Sequence, residues 1–184
     1  SQNNEYAELT IFEPVLGEGN PGLSITPKFY KKMRELTRQF HGILLADSVQ
    51  SGLRCNGVLS IVDYPGFKDL EAPDMETFSK ALNGGQYPLS VVGLGPRVSH
   101  LYRNGIYGNT MTSNPRALDV AMATLSQITP EVQRNITRQG KYFLGSLKRL
   151  EMKYDFVDGV NGTGLLMSLF LNEEYSNIDV EMDL

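Results

Sequence analysis

The sequence predicts an α/β fold built on a mainly parallel sheet. Three observations carry that prediction. Ile43-Leu-Leu-Ala46 is an unbroken apolar run closed by Asp47, the pattern of a strand buried on both faces. A capping residue followed by proline, the start signal of a helix, occurs at Thr26-Pro27, Asn114-Pro115 and Thr129-Pro130. Strand-like and helix-like segments alternate along 184 residues, a length that suits one domain, or one and a part, with a sizeable core.

The elements follow in order. Glu8-Leu-Thr-Ile-Phe12 alternates as a short strand does. The glycine-rich turn Gly17-Glu-Gly-Asn-Pro-Gly22 comes next. A helix is expected from Pro27, with Phe29, Met33, Leu36 and Phe40 on one face and Gly42 as its stop. After the run 43–47, residues 52–73 hold Gly, Pro and Asn and read as loops. Met75-Glu-Thr-Phe78 reads as a strand ending at Ser79-Lys80, and Pro88 to Leu94 as another. The last third is helical. Ala117, Ala121, Leu125 and Ile128 line one helix; Val132, Ile136, Phe143, Leu147, Leu150 and Tyr154 line the next. Gly164-Leu-Leu-Met-Ser-Leu-Phe170 reads as a final strand before an acidic tail.

Composition narrows the function. Lys plus Arg number 17 and Asp plus Glu 21, a net charge of −4 that disfavours non-specific nucleic-acid binding. Cys55 stands alone, so no internal disulfide can form. With only His41 and His100, no Cys/His metal cage is expected. No apolar run is long enough to span a membrane. The N-terminus, Ser-Gln-Asn-Asn-Glu, is polar, carries no signal peptide and lacks Met, so the chain reads as processed or as a piece of something longer. Asn135-Ile-Thr137 and Asn161-Gly-Thr163 have the spacing of glycosylation acceptors but carry no meaning in a reducing compartment.

Four groupings could carry chemistry. Asp47 closes a buried strand, where an unpaired carboxylate is costly, so it needs a cationic or hydrogen-bonding partner. The plainer reading is an Asp capping the next turn. Gln50 follows three residues on, within reach of the same site if the chain turns. Lys80 follows a strand, with Gly84 and Gly85 downstream. A desolvated Lys there can act as a nucleophile; the plainer reading is a surface Lys. Gly17-x-Gly19-x-x-Gly22 has dinucleotide-binding spacing, but Glu18 would meet the pyrophosphate and Pro21 removes a donor. Asn109-Thr110-Met-Thr112-Ser113-Asn114, before a helix, could bind an anion or simply form a polar turn with a good N-cap.

Together these pieces resemble the class III aminotransferases, the pyridoxal-phosphate enzymes that include ornithine, acetylornithine and 4-aminobutyrate aminotransferases. The matching stretches are Glu13-Pro-Val-Leu-Gly-Glu-Gly19, Gly42-Ile-Leu-Leu-Ala-Asp47-Ser-Val-Gln50-Ser-Gly52 and Ala72-Pro-Asp74. They continue with Ser79-Lys80-Ala-Leu-Asn-Gly-Gly85, Tyr87-Pro88-Leu89 and Tyr107-Gly-Asn-Thr110-Met-Thr-Ser-Asn114-Pro115. The order is kept over about residues 8–170, and the Lys80 stretch looks most like ornithine aminotransferase.

The resemblance implies a fold-type I transferase, with roles for residues of this chain. Asp47 would pair with the pyridinium nitrogen of pyridoxal 5'-phosphate and keep it protonated. Val49 would pack on the ring face and Gln50 would hydrogen-bond the ring hydroxyl. Lys80 would bond the cofactor covalently and then move the proton. Thr110 would bind the cofactor phosphate across a homodimer interface. Glu18 matches a residue that gates substrate access by pairing with an Arg, and Glu13 would support the site. Ser48 stands where the family commonly has Glu, and Met111-Thr112-Ser113 replaces a commoner aromatic-Gly-Gly.

The resemblance also implies boundaries. Residues 1–128 would be the second half of the large domain, 129–155 a connecting helix and 156–184 the start of the small C-terminal domain. The family's phosphate-binding turn and ring-stacking aromatic would lie upstream, and its substrate-carboxylate Arg downstream. The expected reaction moves an amino group from an ω-amino acid, ornithine-like, to a 2-oxo acid by a ping-pong mechanism. The expected compartment is the cytoplasm, with the mitochondrial matrix equally reducing. Two rivals stand beside it: an idle homologue or fragment serving as an assembly module, and a nicotinamide oxidoreductase built on the glycine turn. The second gives Lys80 and Thr110 no work.

Overall fold

The structure, a computed structural model, describes residues 7–175; the polar N-terminus and most of the acidic tail lie outside the described residues. Four strands form one sheet in the order β1 (Leu9–Phe12), β2 (Ile43–Asp47), β3 (Met75–Phe78) and β4 (Val91–Leu94). β1–β2 and β2–β3 pair in parallel, and β3–β4 pair antiparallel. The sheet is thus mixed and mostly parallel. The strand expected from Pro88 begins only at Val91. Pro88 brings no ladder donor, and the Leu89 carbonyl accepts a bond from the Ser79 hydroxyl instead. Residues 79–90 hold only a single 3-10 turn, no crossover helix, so the chain returns antiparallel.

Three helices start where the capping signals fall. α1 (Pro27–Gln39), α2 (Pro115–Gln127) and α3 (Pro130–Lys153) each carry proline in the first turn. The side chains of Thr26, Asn114 and Thr129 accept the first backbone N–H groups. The faces are less faithful. On α1 the expected apolar residues Phe29, Leu36 and Phe40 are exposed, Met33 is half-buried, and Tyr30, Arg34 and Thr37 are the buried ones. Tyr30 packs edge-on against Phe12 and Phe67, and Arg34 is drawn inward by Asp74, so aromatic stacking and an ion pair set the buried side. Ala117 and Ala121 bury α2 as expected, whereas Leu125, Phe143, Leu150 and Tyr154 stay exposed.

The core centres on Val15, Tyr30, Leu44, Ala46, Cys55, Ile61, Tyr64 and Phe67. Half of it comes from the loop-rich stretch 52–73. Burial pushes the Cys55 thiol up to about 12, which leaves it inert. β2 is closed on one face only. Leu44 and Ala46 are buried, while Ile43, Leu45 and Asp47 lie half-exposed on the other face, a correction to the fully buried strand its apolar run predicts.

The chain ends in a hairpin of β5 (Val157–Thr163) and β6 (Leu166–Leu171). β6 answers the run at 164–170. β5 is a strand its composition hides, for Val157-Asp-Gly-Val-Asn-Gly-Thr163 is poor in strand formers. Pairing with β6 and burial of Val157 and Val160 supply what propensity lacks. Gly164 opens the two-residue turn at φ 61°, the hand such turns favour. There the turn backbone meets the Cys55 carbonyl: a Cβ on Gly164 would lie 1.6 Å from that oxygen, and one on Gly140 of α3 2.4 Å from the Gly164 oxygen. Gly164→Ala is therefore expected to lower unfolding stability by at least about 1–3 kcal/mol. An unchanged urea midpoint would contradict this packing.

Candidate active site

Four candidate residues, Asp47, Val49, Gln50 and Lys80, lie at or just past the ends of two neighbouring parallel strands, where α/β proteins place their chemistry. Asp47 ends β2 and pairs in register with Thr77 of β3. Its Oδ1 accepts the Thr77 hydroxyl at 3.1 Å and the Val49 N–H at 3.1 Å. The turn-capping expectation is thus realised, and no cation of the described residues pairs with Asp47. Its face is half-exposed, so the carboxylate stays open to a further partner. Thr77 is a site residue that sequence reasoning missed; its only signal is its register opposite Asp47.

Gln50 sits one short turn on. Arg54 Nε donates to its carbonyl at 2.7 Å, and Arg54 also bonds the side-chain oxygen. That leaves the amide NH2 to donate elsewhere. The Gln50 side chain lies so close to Gly17 that a Cβ there would stand 2.3 Å from Gln50 Cγ. Glu13 Oε2 accepts the Gly17 N–H at 2.7 Å and fixes the same turn. Arg54, four residues after Gln50, is another positioning group the sequence reading did not single out.

Lys80 lies three residues past Thr77, at most about 11 Å along the chain. Its side chain is exposed, and its backbone takes φ 49°, a left-handed conformation uncommon for a residue with a Cβ. Such strain collects at functional sites. The 3-10 turn Lys80–Asn83 and Gly84 at φ 61° turn the chain at once after the strand.

The other expectations divide. Glu18 is exposed at the tip of the glycine turn. Three N–H groups of that turn are spent within the chain: Gly17 on Glu13, Asn20 on the Glu18 carbonyl, Gly22 on the Leu16 carbonyl. Those three bonds, with the Glu18 carboxylate exposed at the tip, weigh against a dinucleotide site. Thr110 lies on the exposed loop before α2, and no described hydrogen bond joins it to Asp47, Gln50 or Lys80. Asn114 takes the first N–H groups of α2, so the anion site considered for that helix end is already filled. Met111, Thr112 and Ser113 line a cleft of 250 Å³ with Pro88, Leu89 and Ser90.

The donor set suits pyridoxal phosphate. A half-exposed carboxylate can face a protonated ring nitrogen, an amide N–H can meet a ring hydroxyl, and a strand-end amine can meet an aldehyde. This arrangement on a mixed, mostly parallel sheet is that of a fold-type I pyridoxal-phosphate transferase, the fold of the solved structures it matches. The chain belongs to the class-III aminotransferase family, whose model matches residues 2–181. It is 35% identical, over 94% of its length and 41% of the relative's, to an acetylornithine/succinyldiaminopimelate aminotransferase of Yersinia pestis. It is 33% identical, over 92% of its length and 41% of the relative's, to ornithine aminotransferase 2 of Staphylococcus aureus. The ornithine aminotransferase of Toxoplasma gondii superposes with a TM-score of 0.79 at 30% identity, over 95% of this chain and 41% of that one. The chain thus spans about two fifths of the length of these relatives.

Proposed function

We propose that the protein carrying this chain is a pyridoxal-phosphate-dependent aminotransferase. It moves an amino group from an ω-amino acid, ornithine-like, to a 2-oxo acid in two half-reactions. The observation that carries this reading is the pair Asp47 and Lys80 on neighbouring strand ends, with Gln50 between them in sequence. When bound, pyridoxal phosphate supplies an aldehyde and an electron-accepting ring. Lys80 would hold the cofactor through its amine, and the same amine would move the proton at the substrate carbon. Asp47 keeps the ring nitrogen protonated, with its own orientation set by Thr77 and Val49. Gln50 donates to the ring hydroxyl, and Val49 borders the ring face. Thr110, on its exposed loop, binds the phosphate of a second subunit in a homodimer.

Glu18 reads as a substrate gate, on a turn that the β5–β6 hairpin anchors. Ser168 and Thr163 donate to the Pro21 and Gly22 carbonyls at 2.6 Å and 2.8 Å. Residues 1–128 are assigned to the large domain, 129–155 to the connecting helix and 156–184 to the start of the small domain. No described helix is long and apolar enough to cross a membrane; the reading adds a reducing compartment, cytoplasm or matrix. Retention of Asp47, Gln50, Lys80 and Thr110 favours an enzyme over an idle assembly module.

Asp47→Asn tests the ring-nitrogen role in the whole protein. The amide keeps the Thr77 and Val49 bonds but holds no charge. Cofactor remains bound while turnover falls by about 10²–10⁴-fold. Wild-type kinetics in that variant contradict the role.

A further inference from the structure

Glu76 is a buried carboxylate with no part in the roles above. It lies on β3 at 6% exposure, on the face opposite Thr77 and Asp47. Its Oε1 accepts the Ser48 hydroxyl at 2.5 Å and the Ile61 N–H at 2.9 Å, and its Oε2 accepts the Ser60 hydroxyl at 2.6 Å. Ser48 stands between Asp47 and Val49, and its N–H also donates to the Thr77 carbonyl at 3.0 Å. Ser60 and Ile61 close the loop that Ser48 opens. One carboxylate therefore pins both ends of the segment holding Val49, Gln50 and Arg54 to the strand that leads into Lys80.

We infer that Glu76 is a positioning residue of the site. Through Ser48 it fixes Asp47, and through Ser60 and Ile61 it fixes the Gln50 loop, against the strand of Lys80. A group that served only to fill the core would be cheaper as an apolar side chain, since burial disfavours the charged carboxyl and pushes its protonation upward. Its three donors recover that cost only by holding the segments they belong to. The identity of Ser48 follows as well. A Glu at 48, common in the family, would set one carboxylate against another where the Ser48 hydroxyl now donates to Glu76.

The inference rests on the proposed function. Its test uses the whole protein with Glu76→Leu, Glu76→Gln and Ser48→Ala, and reads pyridoxal-phosphate affinity by titration and the visible absorbance band of the loaded protein. Glu76→Leu removes every acceptor. It is expected to weaken cofactor binding by about tenfold or more and to shift the band, the scale of one or two lost hydrogen bonds. Ser48→Ala removes one donor and leaves Ser60 and Ile61 in place; it weakens binding roughly threefold. Glu76→Gln keeps an oxygen for Ser48 and Ile61 and an amide for Ser60, and restores affinity and band to within about twofold of wild type. Folded Leu and Ala variants with wild-type affinity and band overturn the inference. Where the Leu variant does not fold, an unchanged Ser48→Ala protein overturns it alone. A wild-type protein that takes up no cofactor sinks the proposed function and this inference together.

Discussion

Lys80→Ala is expected to abolish turnover, with a loss of about 10⁴-fold or more, and to remove the cofactor's covalent attachment and its visible absorbance band. The size follows from the two tasks placed on one amine. It holds the cofactor at the strand end, and it moves the proton in each half-reaction. No other lysine of the described chain lies at a strand end beside Asp47. The nearest in sequence on either side are Lys68, on an exposed turn twelve residues before it, and Lys141, on α3. Folding should survive the change, because the Lys80 side chain is exposed and its φ of 49° is relieved by no contact of the amine. Retained turnover in a folded Lys80→Ala protein would remove the residue from the chemistry.

Asp74→Ala is expected to be the most damaging change to stability, at about 3–5 kcal/mol. Asp74 is 2% exposed and takes both Arg34 nitrogens, at 2.7 Å and 2.9 Å, with Arg97 at 2.9 Å and the Leu44 N–H at 2.9 Å. Removing it leaves the buried Arg34 guanidinium, whose Nε already lacks a partner, with the half-exposed Glu71 as its remaining counter-charge, and frees an N–H of β2. Chemical denaturation measures the loss; a midpoint within error of wild type would refute the pairing. The same residue sets an acid limb. Burial alone would raise its carboxyl, but Arg34, the Leu44 N–H and Arg97 outweigh burial and hold it well below the usual carboxylate range. The folded state therefore keeps Asp74 ionised where the unfolded chain binds a proton. Its stabilisation is complete above about pH 4 and is lost as the pH falls toward the depressed folded value. Asp74→Asn should flatten that limb of the stability profile.

Local signals in the sequence locate much of this chain. The three capping residues sit one position before proline and bond the first N–H groups of α1, α2 and α3, because a cap is decided within four residues. The positions of Asp47 and Lys80 are legible because each falls at or just past a strand-like segment, the apolar run 43–46 and Met75–Phe78. Long-range choices are not legible. Phe29, Leu36 and Phe40 form a periodic face, yet Asp74, forty residues from Arg34, helps decide which side of α1 turns inward. β5 exists because β6 pairs with it. Thr77 and Glu76 alternate to opposite faces of β3, and only the register shows that one serves Asp47 and the other Ser48. The exposed apolar faces of α1, α2 and β4 have the same origin. Periodicity alone does not say that those faces stay exposed.

Borohydride trapping tests the central claim most directly. The whole protein is incubated with pyridoxal phosphate, reduced, digested and mapped by mass spectrometry. The account predicts a single reduced pyridoxyl adduct, on Lys80. Adducts scattered over surface lysines, or none on Lys80, would contradict it.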